Sequence, residues 1–324
     1  MGSACQARGP YGARKLSSKA VMENIRLRVV IPHFFCEGAS EGRGGYGSGR
    51  RGNRLPRSMA FTRCLGSVLS LQRSPQDFIF NMAEQQLEIS SVSALRPTYQ
   101  IEVDVHVFVQ EQHNLEDVLD LFADQITVHV LALEDPRELP LRAVHQVLLM
   151  AEPADLMLYL EDDLVISDLE YIDKQAWFLQ HTNHCYVLMP HRVEYCVANA
   201  PRRLFVDGPI KDDSVSTPVW ASDEPSVGGG RYQGMEVEFM KPTNPHSGSF
   251  CLSDVQMALV REGPWPPTTF IGPLETAATG VVAPHFKVLK PSWNCRNFLT
   301  LEHGNPSFIA QMARWPLHMH NQNT

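Results

Sequence analysis

Three consecutive carboxylates, Glu161-Asp162-Asp163, follow directly on the apolar run Leu156-Met157-Leu158-Tyr159-Leu160. A short, uninterrupted apolar run of this kind fits a strand covered on both faces of a parallel sheet. Carboxylates at its end are costly to desolvate unless a cation or hydrogen-bond donors compensate them. Ligands gather at the carboxyl ends of strands in open α/β sheets. A hard divalent ion on one or two carboxylates plus substrate phosphates is the common magnesium or manganese arrangement there. Strand alternation predicts that Glu161 and Asp163 point to one side and Asp162 to the other. The competing reading is a solvated acidic turn that caps the next segment.

Other residue groups have chemistry to offer. Arg43, Arg50, Arg51, Arg54, Arg57 and Arg63 crowd one early stretch, where they can meet an anion such as a diphosphate or form a solvated loop. Asn244 to Asp254 carries Gly248 among small residues, which lets a backbone approach a ligand closely. Its end, Ser253-Asp254, reads as the start of a helix through Val255, Met257 and Leu259, so Asp254 is either a helix-terminal residue or a catalytic carboxylate. Glu275 lies in Gly272 to Gly280, and His303 in Leu301-Glu302-His303-Gly304-Asn305, with His318 and His320 as a later pair. Gly47, Gly49 and Gly52 have G-x-G-x-x-G spacing, but they neither leave a strand nor open a helix, so a dinucleotide fold is excluded.

Strands and helices must position these groups. Ile25 to Ile31 reads as a strand stopped by Pro32, and Met59 to Leu71 as a helix. Val103 to Val109 and Ile126 to Leu133 read as strands, and Leu115 to Phe122 as a short helix. A helix over 140–152, with Leu141, Val144, Val147, Leu148 and Ala151 inward, leads into the 156–160 strand. Alternating strands and helices predict an α/β fold with a mixed, mostly parallel central sheet flanked by helices. Beyond about residue 165 the alternation weakens into a loop-rich half, with strands expected at Cys185–Met189, Arg203–Val206 and Met235–Met240. Residues 1–23 read as a disordered leader, 24–310 as one domain with halves at 24–165 and 166–310, and 311–324 as a tail.

Composition narrows the classes. The chain has 324 residues, 44% hydrophobic and 20% charged, enough for a sizeable core. A net charge of −8 argues against a nucleic-acid binder. Seven scattered cysteines without a C-x-x-C pair fit neither a zinc ribbon nor a disulfide scaffold. Free cysteines, no signal-peptide core, no membrane-length apolar run and no glycosylation sequon predict a cytoplasmic or membrane-peripheral protein.

The apolar strand ending in Leu-Tyr-Leu-Glu-Asp-Asp resembles the DxD region of GT-A glycosyltransferases. That resemblance implies a Rossmann-like catalytic fold and transfer of a sugar from a nucleotide-sugar donor to a glycan or other hydroxyl acceptor, assisted by Mn2+ or Mg2+. It implies metal ligation by Asp163 and the late His303. Glu161 and Asp162 would orient ribose, sugar or coordinated water. The segment around Gly248 would line the donor-sugar pocket, and Glu275 would be the base of an inverting enzyme. His33 would contact the nucleotide, with Arg54 and Arg57 reaching the diphosphate. Two rivals stand beside this reading: a nucleotidyltransferase acting on a sugar phosphate, and a non-catalytic binding protein with a degenerate site of the same type.

Overall fold

The structure is a computed structural model that describes residues 24–37, 52–91, 99–195, 203–210, 228–265, 276–306 and 308–309. The expected α/β class is found. The central sheet runs in the order β14-β6-β1-β4-β5, built from β1 (Asn24–His33), β4 (Gln100–Gln110), β5 (Thr127–Leu131), β6 (Leu156–Leu160) and β14 (Ser249–Ser253). Its first four members pair in parallel, and β14 pairs antiparallel with β6. β1 is the middle strand, and Leu27, Val29, Val30 and Ile31 are fully buried because both faces of the sheet are covered.

One face packs on α1 (Arg54–Leu69), α2 (Glu116–Leu121) and α4 (Tyr171–His181) through Phe61, Leu65, Val68, Val118, Phe178 and their neighbours. The other packs on α3 (Leu139–Leu148) and α5 (Asp254–Glu262) through Val144, Val147, Val260 and the β6 residues Met157 and Tyr159. Pro140 lies in the first turn of α3, where its missing N–H is harmless.

β1 continues through Pro32 to His33, two residues past the predicted stop. Its ladder with β6 ends at Val30, so the missing donor of Pro32 falls beyond that pairing. α1 begins five residues before the predicted Met59, which puts Arg54 and Arg57 in a helix instead of a loop.

A second, four-stranded sheet lies beyond the acidic triplet in the order β10-β9-β16-β7. It consists of β7 (Leu164–Val165), β9 (His191–Tyr195), β10 (Arg203–Phe205) and β16 (Thr300–His303). Of these, only β10 has a predicted counterpart. β8 (Tyr186–Leu188), β13 (Phe239–Met240) and β15 (Lys287–Pro291) form a third sheet, and β11 (Gly230–Tyr232) pairs with β12 (Met235–Val237). β2 (Gln76–Asn81) and β3 (Gln86–Ser91) form a separate hairpin that the sequence reading lacks. No helix among the described residues is long and apolar enough to cross a membrane.

Candidate functional site

The carboxyl end of β6 delivers Glu161, Asp162 and Asp163 into a buried polar cluster. Each is less than a tenth exposed. The chain turns immediately after Leu160, with the Leu164 N–H donating to the Glu161 carbonyl at 3.1 Å. Strand alternation therefore no longer governs the triplet. Asp162 and Asp163 share one partner, whereas Glu161 turns away toward other groups, which corrects the predicted pairing of Glu161 with Asp163.

That shared partner is Arg57, one turn into α1. Its guanidinium donates to both Asp162 oxygens at 2.6 Å and to Asp163 Oδ2 at 2.9 Å. Burial alone would make Arg57 easier to deprotonate, but the adjacent Asp162 and Asp163 outweigh it and fix the positive charge. His33, at the end of β1, completes the Asp162 side. The Leu115 N–H donates to His33 Nε2 at 3.0 Å, so the proton sits on Nδ1 and is donated to Asp162 Oδ2 at 2.6 Å. Burial, opposed by the bond to Asp162, lowers the His33 pKa, which fits this neutral tautomer. Phe61 stacks on the ring at 4.0 Å and holds its plane.

The second sheet brings in the Asp163 side. β7 follows the triplet without a break and pairs antiparallel with β16, opposing Leu164 to His303. Asp163 is thereby set beside Gly304, whose N–H donates to the Asp163 carbonyl at 2.6 Å. β16 also pairs in parallel with β9, with Glu302 opposite Val193, which places His303 next to Glu194. His303 Nδ1 meets Glu194 Oε1 at 2.6 Å, and Nε2 lies 3.5 Å from Asp163 Oδ2. Burial would lower the His303 pKa, but the two flanking carboxylates overcome it and lift it to about 9. Burial likewise opposes ionisation of Asp163, yet His303 and the arginines hold its carboxyl well below the usual range.

Glu161 faces a third group. Arg192 Nη1 lies 3.9 Å from Glu161 Oε2, and His246 Nε2 lies 3.7 Å from Oε1. Arg192 is in turn bound to Asp207 at 2.8 Å, and the fully buried Lys290 reaches Asp207 at 3.5 Å. Burial pulls Lys290 down to about 8 against the pull of Asp207. Burial also pushes His246 to about 3, helped by the Arg192 charge. Gly248 donates no side chain because none fits: its φ is +64°, and a Cβ there would sit 2.6 Å from Glu161 Oε2. Its carbonyl accepts the Glu161 N–H at 3.0 Å. The close approach expected at Gly248 is thus to Glu161 itself.

The structure brings His33, Arg57, Glu161, Asp162, Asp163, Gly248 and His303 together. Arg54 is exposed, pairs with Asp117 at 2.7 Å, and borders a groove of about 690 Å³ with Gln112, Asn114 and Val109. Asp254 does not belong to the cluster. β14 runs antiparallel to β6 with Ser253 opposite Leu156, so Asp254 sits at the opposite end of the sheet. There it is the first residue of α5 and accepts the Val255 N–H, behind a capping box made by Ser253 and Gln256. Glu275, His318 and His320 lie outside the described residues.

Five charged or polar participants were not anticipated: Arg192, Glu194, Asp207, His246 and Lys290. The one usable signal was the alternation of His191-Arg192-Val193-Glu194-Tyr195, a strand pattern with charge on one face.

Two of these side chains could share a divalent ion. Asp163 and His303 converge, and the Glu194 bond to Nδ1 is the outer contact that orients a metal-binding imidazole. With its pKa lifted to about 9, His303 carries a proton at neutral pH that a metal at Nε2 would have to displace. Among the described residues no group of three or more His, Cys, Asp or Glu side chains is arranged to hold a metal. Two protein ligands would leave the remaining positions to phosphate oxygens and water.

No known protein-family profile and no curated protein matches the chain. Among solved structures it is similar to residues 1–349 of S. aureus TarS in complex with UDP-GlcNAc: 11% identity, TM-score 0.39, 87% of this chain and 61% of that one. The same TarS portion in complex with UDP gives 12% identity and a TM-score of 0.38 over 82% and 57%. GalNAc-T7 with UDP, GalNAc and Mn2+ gives 11% identity and a TM-score of 0.43 over 86% and 44%. The chain spans between 44% and 61% of the length of the chains in these three structures. At such TM-scores the likeness is loose, and the site stands on its own geometry.

Proposed function

We propose that the chain is a glycosyltransferase of the GT-A type, moving a sugar from a nucleoside-diphosphate donor to an acceptor hydroxyl. The observation that supports this best is the convergence of Asp163 and His303, about 140 residues apart, with Glu194 behind the imidazole. Asp163 and His303 would hold Mn2+ or Mg2+, which when bound neutralises the leaving diphosphate. His33 and Arg57 hold Asp162 in place beside that position. Glu161, braced by Arg192 and by the Gly248 backbone, would meet the donor sugar or coordinated water. Arg54 and the neighbouring groove would take the base or the diphosphate. Glu275 is assigned to the acceptor side, as the base that takes the hydroxyl proton if transfer inverts the anomeric centre.

A second reading has one observation in its favour. Arg57 already bridges Asp162 and Asp163 with a fixed cation, so the site could bind a nucleotide without metal. Calorimetric titration with UDP, GDP and CMP, each with Mn2+ and with a chelator, separates the two. UDP is the first to try, because it is bound in the TarS and GalNAc-T7 structures. Metal-dependent binding that disappears in Asp163→Ala supports the transferase. Chelator-resistant binding supports the second reading, and no binding of any nucleotide removes both.

A further inference from the structure

The β2–β3 hairpin carries an apolar face that nothing else in the described residues covers. Its register opposes Phe78 to Ile89 and Phe80 to Leu87, so all four side chains stand on one side. They are exposed by 65%, 64%, 55% and 67% respectively, and Met82 in the turn by 77%. The reverse side is polar: Asp77, Asn81 and Glu88 lie there with Ile79, and Asn81 Nδ2 donates to Glu88 Oε1 at 2.6 Å. Among the described residues the hairpin pairs with no third strand. A lone two-stranded ribbon is marginal in water, and an amphipathic one needs a surface for its apolar side.

We propose that this face is a homodimer interface, packed against the same face of a second copy of the chain. Taking the five side chains as mostly exposed, each copy offers roughly 600 Å² of apolar surface. Two copies together would remove at most about 1,200 Å² from water, which reaches the lower end of the range for specific, stable interfaces. A two-fold axis sets the cross-strand pairs Phe78–Ile89 and Phe80–Leu87 on their own counterparts, and such self-complementarity is what an isologous contact requires. Residues 76–91 contain Asp77, Glu84 and Glu88 and neither Lys nor Arg. Asp77 and Glu88 are on the reverse side, so self-association buries neither of them, whereas an anionic lipid surface would repel the segment.

The test is sedimentation equilibrium of the full chain across a wide concentration range, without ligands. The expected result is a monomer–dimer equilibrium, with the dissociation constant raised roughly 100-fold or more in Phe78→Ser/Leu87→Ser. Ile79→Ser, on the polar side, should leave the equilibrium unchanged. Circular dichroism checks that the variants fold; should the double variant fail, Met82→Glu at the rim gives the same comparison. Monomer at every concentration overturns the proposal, as does a dimer indifferent to these substitutions. Association only with lipid vesicles, whether anionic or neutral, overturns it too.

Discussion

The two sheets that meet at the acidic triplet are built on opposite principles. The central sheet reaches the site through strands of five to eleven residues whose apolar stretches are covered on both faces; its Arg28–Asp104 pair lies toward the opposite end, and the acidic triplet follows at the carboxyl end of β6. The second sheet has strands of two to five residues and directs Arg192, Glu194 and His303 inward. Each alone would leave uncompensated charge in a dry place. Joined by the Leu164–His303 pairing, they balance most of it: carboxylates from one meet cations from the other. The precision of the site therefore rests on the register of β7, β9 and β16 as much as on the apolar core.

Removing a cation from the central-sheet side should have the largest effect. Arg57→Ala leaves Asp162 and Asp163 buried beside each other, and is expected to destabilise the fold by about 3–5 kcal/mol in urea titrations. Gly248→Ala tests the packing of Glu161: a Cβ at 2.6 Å from a carboxylate, on a left-handed backbone, should cost about 3 kcal/mol by the same measurement. Gly248→Ala combined with Glu161→Ala should recover part of that loss, since the clash is with the Glu161 side chain.

The second-sheet side should show itself in pH dependence. The His303 pKa of about 9 in the folded chain lies above the unfolded value near 6.5. Its stabilisation is complete below pH about 6.5 and is lost as pH rises toward 9. Lys290, lowered to about 8, acts in the opposite direction above that pH, so the clean window is 6.5 to 8. Metal-free protein should lose on the order of 2 kcal/mol across that window, and His303→Gln should flatten the profile. Asp254→Ala, at the far end of the sheet, should change stability by about 0.5 kcal/mol or less and leave nucleotide binding intact.

The same contrast explains what could be read from the chain. The Leu156–Leu160 run, the α3 face and the valines of β4 carry enough repeating pattern to be assigned, and they lead directly to Asp163. The short strands do not. β7 has two residues, and the Arg192–Glu194 alternation resembles a solvated face, although those side chains point into a buried polar cluster. His303 could be named from its place in the chain, but its neighbours Glu194 and Gly304 become visible only through strand pairing. Asp254 carried a true helix-start signal that shares its sequence neighbourhood, and not its location, with Gly248. The β2–β3 hairpin went unread because its Met-Ala-Glu-Gln turn lacks the usual Asn-Gly or Asp-Gly signature.

In the proposed site, two sheets deliver Asp163 and His303 to one cation position. A double-mutant cycle on Mn2+-dependent UDP binding, with Asp163→Asn, His303→Gln and the pair, tests it most directly. Either substitution alone is expected to remove most of the metal-dependent affinity, and the pair to be little worse than each. Losses that simply add, or metal-dependent binding that survives both substitutions, would contradict it.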